Sequence, residues 1–363
     1  MEQKKSRSAV FWAVLEKIVI PIAAVFLALL VGAGVIALMG IDPWSAYRSL
    51  FIGSLSSRNA IAETLVKTIP LLFTALSFAF AKRCGLINLG AEGQLYIGAI
   101  FASTLGIYMP NLPAIIMLPL CIILGFIGGG LWGVLAGWLK VQFGASEVIT
   151  TIMLNYIATY FLSWLVTGPM IEPPGSFPQT PQVGLGAQLP RILPGTRLHA
   201  GLFIALAAIF IYWFFLFKTT TGYETRVVGL NPTAAEYAGI KPTRNLLLAM
   251  FIAGGFAGLA GTTEILGIQL RMFQDFSPNY GFDGIAVALL GQSGPIGILL
   301  AGILFGILRS GANMMQMLAR VPIAVIYIIQ AFVIIFVISS TYFEKKYNKY
   351  KLEKMALKGA RTE

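Results

Sequence analysis

The feature that most constrains this chain is a series of long apolar runs. Ile18 to Met39, Leu112 to Leu139 and Ile323 to Ser339 hold few or no charges, and each supplies the roughly 17–25 residues a helix needs to cross about 30 Å of hydrocarbon. A soluble amphipathic helix keeps a polar face, whereas these runs are apolar all round. The whole chain is 57% hydrophobic and only 11% charged, with a mean hydropathy of +0.80, far from the roughly one-quarter charged content of soluble domains. Lipid is therefore part of its solvent. In lipid every backbone polar group must be satisfied internally, which points to helices. The expected fold is all-α, a polytopic membrane protein.

Apolar stretches fall near residues 11–39, 66–82, 94–109, 113–139, 147–167, 201–217, 246–267, 284–293, 295–308 and 321–340. That predicts about ten transmembrane helices, the eighth of them short. The first run follows Lys4, Lys5 and Arg7. It is longer than a signal-peptide core and shows no small-x-small cleavage site, so it is expected to remain as the first span. Orientation follows from charge. With the N-terminus inside, seventeen Lys and Arg fall on the cytoplasmic side and seven on the other, as the positive-inside rule requires. The basic tail, with Lys345, Lys346, Lys349, Lys351, Lys354, Lys358 and Arg361, demands an even number of crossings. Both termini are thus expected in the cytoplasm: an N-terminus of residues 1–10, a transmembrane domain of residues 11–340 and a tail of residues 341–363. Residues 168–200, rich in Pro and Gly, form an external loop, and residues 218–245 the longest cytoplasmic one.

Several function classes lack their chemistry. Cys84 and Cys121 lie beside or within apolar runs and His199 is the single histidine, so neither a metal site nor a catalytic triad is indicated. No Gly-x-x-x-x-Gly-Lys-Ser/Thr loop is present, so ATP hydrolysis is not expected on this chain. The expectation is a transport component that is not an enzyme, with no cofactor and no metal.

The cytoplasmic loop carries helix punctuation. Asn231 suits an N-cap, Pro232 the first helical position, Ala234, Ala235, Glu236 and Tyr237 the body, and Gly239 a left-handed stop. One helix of about two turns is predicted, too short to stand alone in water. Ala235, Ala238 and Ile240 beside Glu236 and Lys241 suggest a knob seated on another surface.

At this point a resemblance enters. GLINLGAEGQ (Gly85 to Gln94), EVITTIMLNYIA (Glu147 to Ala158), VGLNPTAAEYAGI (Val228 to Ile240) and YGFDGIAVALLGQSGP (Tyr280 to Pro295) resemble the permeases of ATP-binding-cassette importers that serve branched-chain amino acids, simple sugars and nucleosides. The form NLGAEGQ is most similar to the nucleoside type. The resemblance implies a second permease subunit, preferably a different gene product, a cytoplasmic ATPase, an external substrate-binding lipoprotein and a place in the bacterial cell membrane. It also implies that the short helix, with Gly229, Asn231, Pro232, Ala234, Ala235, Glu236 and Gly239, is the coupling helix that meets the ATPase.

Polar residues in apolar surroundings are costly and tend to face a bundle interior or a pathway. Asn88, Glu92 and Gln94 sit in a Gly-rich break between spans; Glu147, Thr150, Thr151 and Asn155 share one helical face; Gln292 lies in a Gly/Pro-rich turn. Asn88, Glu92, Gln94, Glu147, Asn155 and Gln292 are the candidate substrate pathway. Their bland alternative is structural: interhelical bonds and helix capping. A permease for a simple sugar such as ribose, or a secondary transporter driven by an ion gradient through carboxylates such as Glu147 or Glu264, is the competing function.

Overall fold

The computed structural model describes the backbone of residues 7–337 and 339, with side chains from residue 23 onward. The expected basic tail, residues 341–363, lies outside the described residues, as do the first six positions. Helices α1 (Arg7–Leu38), α2 (Pro43–Leu55), α3 (Arg58–Arg83), α4 (Ala91–Tyr108), α5 (Ala114–Phe143), α6 (Glu147–Thr167), α7 (Gly201–Lys218), α8 (Thr220–Leu230), α9 (Pro232–Tyr237), α10 (Pro242–Glu264), α11 (Tyr280–Leu290) and α12 (Pro295–Ala319) follow in order, with α13 (Ala324–Val337) after them. Among the described residues there is no β-strand beyond two isolated bridges. Among the described residues six helices are long and apolar enough to cross a membrane: α3, α5, α6, α7, α10 with its π-helical extension to Gln269, and α12.

Two compact units divide the chain, residues 54–310 and the remainder on either side. In the remainder, Tyr47 donates to the Leu29 carbonyl at 2.6 Å, and Gly311 leaves no room for a β-carbon beside Leu50.

In the 54–310 unit, α3 and α10 are the central helices. Their apolar windows are 89% and 72% buried, against 33%, 33% and 28% for α5, α6 and α7. The outer helices therefore present their apolar side chains to the outside of this unit. Packing of α10 against α4 and α5 is backbone-close. A β-carbon at Gly129 would fall 2.3 Å from the Gly254 carbonyl oxygen, and one at Gly98 2.3 Å from the Gly258 Cα. Small residues are how membrane helices gain dispersion contact when lipid tails are as apolar as leucine.

Besides α9, which its caps mark, two helices fall outside the apolar runs. Asp42 starts α2 by accepting from the Trp44 and Ser45 amides. Thr219 starts α8 by accepting from the Gly222 amide at 3.0 Å. The 168–200 loop is irregular but tied down: Thr180 and Val183 amides donate to the Met272 and Leu270 carbonyls, and Arg271 pairs with Glu172 at 2.8 Å.

Candidate functional site

The site grows from two helices that begin inside the bundle. After α3 ends at Arg83, the chain turns at Gly85 (φ +78°) and runs without helix to Gly90. It climbs back beside α3, because the Asn88 amide nitrogen donates to Ser77 Oγ at 3.1 Å. One turn higher, Thr74 Oγ1 donates to the carbonyl of Tyr280 at 3.0 Å, where α11 starts. Thr74 lies nine positions before Arg83 in a continuous helix, about 13–14 Å at 1.5 Å per residue. Relative to roughly 30 Å of hydrocarbon, both starts sit deep in the bundle.

Helix starts at that depth need partners for their free amides, and their own N-cap residues supply none. Gly90 caps α4 without a side chain, and Asn279, in the left-handed region at φ +64°, makes no capping bond for α11. Other helices, and the segment before α11, supply the caps. Asn155 of α6 accepts from the Gly93 amide at 2.8 Å and donates to the Leu89 carbonyl at 2.8 Å, while Thr151 Oγ1 accepts from the Leu89 amide at 3.3 Å. Glu92, in the first turn of α4, accepts from the Gly281 amide of α11 at 2.6 Å, and Ser277 Oγ from the Tyr280 amide at 3.4 Å.

Asn88 and Gln94 pair amide to amide at 2.9 and 3.1 Å, and Asn88 Oδ1 also accepts from Gly90 at 2.9 Å. With Ser77 that fills all four hydrogen bonds an asparagine side chain can make. The spare polar capacity is on Glu92, which is only 5% exposed and whose Oε1 has no hydrogen-bond partner. Tyr96 lies one turn further along α4, its ring edge-on to Phe276 at 5.0 Å.

Of the candidate pathway residues, Asn88, Glu92, Gln94 and Asn155 thus form one buried cluster. Glu147 stands apart, paired with Lys140 at 2.6 Å across the α5–α6 turn. Gln292 is exposed in the α11–α12 turn, at φ +51°. Sequence reading did not single out Thr74, Ser77, Ser277 or Gly281. The signal available was the polar Thr74 and Ser77 inside an otherwise apolar α3. A cleft of about 660 Å³ between α4, α5 and α6 does not suit a polar solute, being lined by Phe101, Tyr108, Phe161, Trp164 and Met170 among others.

In the 218–245 loop, Asn231 accepts from the Ala234 amide at 3.0 Å and Pro232 opens α9. Gly239 stops it at φ +81°. Ala235 points inward and is fully buried by this chain, whereas Leu230 is 88% and Tyr237 90% exposed. The outward face of the knob is therefore Leu230, Ala234, Glu236, Tyr237 and Ala238. Gly229 lies against the Arg83 carbonyl with no room for a β-carbon, fixing α8 to the end of α3.

Comparison with known proteins places this arrangement. Residues 60–338 match the model of the branched-chain amino acid transport system permease component. The chain belongs to that family. It is thus an integral membrane permease subunit of an ATP-binding-cassette importer, and not itself an enzyme; the family implies ATPase and substrate-binding partners. It is 38% identical to the nucleoside permease NupB of Lactococcus lactis over 331 residues, covering 89% of this chain and 91% of that protein. Identity is also 38% to the guanosine permease NupP of Bacillus subtilis over 332 residues, 90% and 94% of the two chains. With the glucose permease TsgB13 of Haloferax volcanii it is 35% over 335 residues, 90% and 88% of the two. No solved structure matches.

Proposed function

We propose that this permease carries a nucleoside. The observation that carries the reading is the nearly full-length likeness to NupB and NupP. The chemistry of the buried cluster agrees with it. Asn88 has all four of its hydrogen bonds made within the protein, so the free acceptor of the cluster is Glu92 Oε1. Such an acceptor suits sugar hydroxyls and base-edge donors, whereas a zwitterionic amino acid calls for a fixed cation facing its carboxylate. Likeness to TsgB13 favours a second reading, a simple sugar.

The proposed topology has about ten spanning helices, α1, α3 to α7 and α10 to α13, with both termini cytoplasmic. Residues 168–200 face the binding protein, and residues 218–245 face the ATPase through α9. Two different Bacillus subtilis guanosine permeases, NupP and NupQ, both resemble this chain, which supports a heterodimer with a second permease. Asn88, Glu92, Gln94 and Asn155 lie along the pathway in this reading, with Glu147 and Gln292 nearer its cytoplasmic end.

Uptake of a labelled nucleoside by the reconstituted importer, challenged with unlabelled guanosine, uridine, glucose, ribose and leucine, tests the reading. Guanosine or uridine should displace the label. Displacement by glucose or ribose alone would establish the sugar reading instead, and displacement by leucine would overturn both.

A further inference from the structure

Four buried side-chain atoms among the described residues have no hydrogen-bond partner, and three of them belong to one neighbourhood: Arg83 Nε, Arg226 Nε and Ser293 Oγ. Arg83 ends α3 and donates through Nη2 to the Ser293 carbonyl at 3.1 Å, the same carbonyl that accepts from Tyr212 at 2.7 Å. Its guanidinium also lies over the Phe217 ring, 5.8 Å from the centroid, and that of Arg226, from α8, lies 5.1 Å from the same centroid. Neither arginine forms an ion pair with a carboxylate among the described residues. The nearest acidic position on α8, Glu224, is engaged by the Asn245 amide at 3.3 Å. Two half-buried guanidinium groups thus flank one ring and want an anion.

The surroundings say which anion. Phe217 is the last aromatic residue of α7, and Phe203, Phe210, Phe214 and Phe217 recur at helical spacing on its face, 60%, 60%, 50% and 37% exposed. In a membrane that stripe is covered by acyl chains. It ends at Lys218, whose ammonium lies over the Trp213 ring at 5.5 Å, an aromatic and basic pairing typical of the headgroup level. A phosphate at the foot of this stripe would meet both arginines, and basic pockets between helices on the cytoplasmic side suit anionic headgroups. We propose that an anionic phospholipid binds here, its tails on the α7 stripe and its phosphate between Arg83 and Arg226. Because the site joins the end of α3 to α8, it would brace the cytoplasmic loop on the helix bundle. The inference does not depend on the identity of the solute.

The test uses the full chain purified with its transporter partners in micelles doped with equimolar phosphatidylglycerol and phosphatidylcholine. Retained lipid is counted by native mass spectrometry. The wild type should retain phosphatidylglycerol over phosphatidylcholine, and Arg226→Gln should weaken retention by about fivefold, with a similar further loss for Arg83→Gln. Among the described residues the Arg226 side chain has only the Phe217 ring as a partner, so its variant does not disturb the Arg83 to Ser293 bond. Equal retention of the two lipids, or of phosphatidylglycerol by wild type and variant, would overturn the proposal. So would displacement of the lipid by inorganic phosphate, which would mark a free-anion site. Appearance of the preference only after the ATPase is removed would assign the arginines to ATPase carboxylates and would also overturn it.

Discussion

Replacing Asn155 with alanine removes the side chain that caps α4 from across the bundle. Two hydrogen bonds of 2.8 Å are lost, one from the Gly93 amide and one to the Leu89 carbonyl. Interhelical side-chain bonds in membrane proteins average only about 0.6 kcal/mol, because unfolded helices in lipid find other partners. Here the stranded groups are backbone atoms at a helix start, where no intrahelical partner exists. Each such buried group left unsatisfied costs about 1–3 kcal/mol, so Asn155→Ala should destabilise the permease by about 2–6 kcal/mol. Asn155→Asp keeps the acceptor for Gly93 and loses the donor to Leu89, and should fall between the two. The assay is the unfolding free energy of detergent-solubilised protein titrated with denaturing surfactant, run beside solute uptake in proteoliposomes. A shift for Asn155→Ala no larger than the average of about 0.6 kcal/mol would refute the reasoning, because it would mean that water or a relaxed backbone replaces both bonds.

Gly129→Ala forces a β-carbon to within 2.3 Å of the Gly254 carbonyl. It should cost about 1–3 kcal/mol as overpacking, measured by the same titration, and a neutral result would show that α5 and α10 can separate freely. Leu230→Ser with Tyr237→Ser changes the exposed face of the α8–α9 knob. The pair should leave folding unchanged and lower transport per ATP hydrolysed several-fold, read from parallel uptake and phosphate-release assays. His199 is buried in the 168–200 loop and accepts from the Gly201 amide at 3.2 Å. Burial lowers its pKa from the ordinary 6.5 to about 4, so the folded loop prefers the neutral ring. Its stability is whole above pH 6.5 and declines as the pH falls towards 4, by about 3 kcal/mol at most. Hydrogen exchange at Gly201 and Leu202 should accelerate across that window, and His199→Gln should abolish the dependence.

What could be read from the sequence was what depends on neighbours in the chain. Asn231, Pro232 and Gly239 mark the bounds of α9 because capping by an N-cap side chain and a left-handed stop are local chemistry. The apolar runs located the six helices that, among the described residues, are long and apolar enough to cross a membrane, because lipid imposes its thickness on each separately. Helix α8 escaped, since Gly222 and a cluster of threonines read as loop while the deciding feature, Gly229 packed on the Arg83 carbonyl, is a contact between distant segments. The glycine break at 85–93 was legible as a place where helix stops. Its caps were not, because Asn155 and Gly93 are 62 positions apart and Glu92 and Gly281 are 189 apart. The inward turn of Ala235 was likewise hidden, since a helix of six residues has too few positions for its pattern to say which side meets the chain's own body.

Capping of α11 by Glu92 imposes an order on how the polypeptide can be made. An isolated α11 has eleven residues, about 16 Å of helix, and carries Asp283, whose partner Arg309 is synthesised later. Such a segment cannot partition into lipid by itself as it leaves the insertion machinery. Glu92, for its part, has been waiting since α4 was laid down, with a carboxylate turned to an interior not yet built. The ribosome must therefore deliver most of the chain before either group finds its counterpart, and α11 has to slot into a bundle already standing in the membrane. Truncation after residue 279 would leave the earlier helices inserted but Glu92 without its counterpart, and that is the form quality-control proteases would recognise.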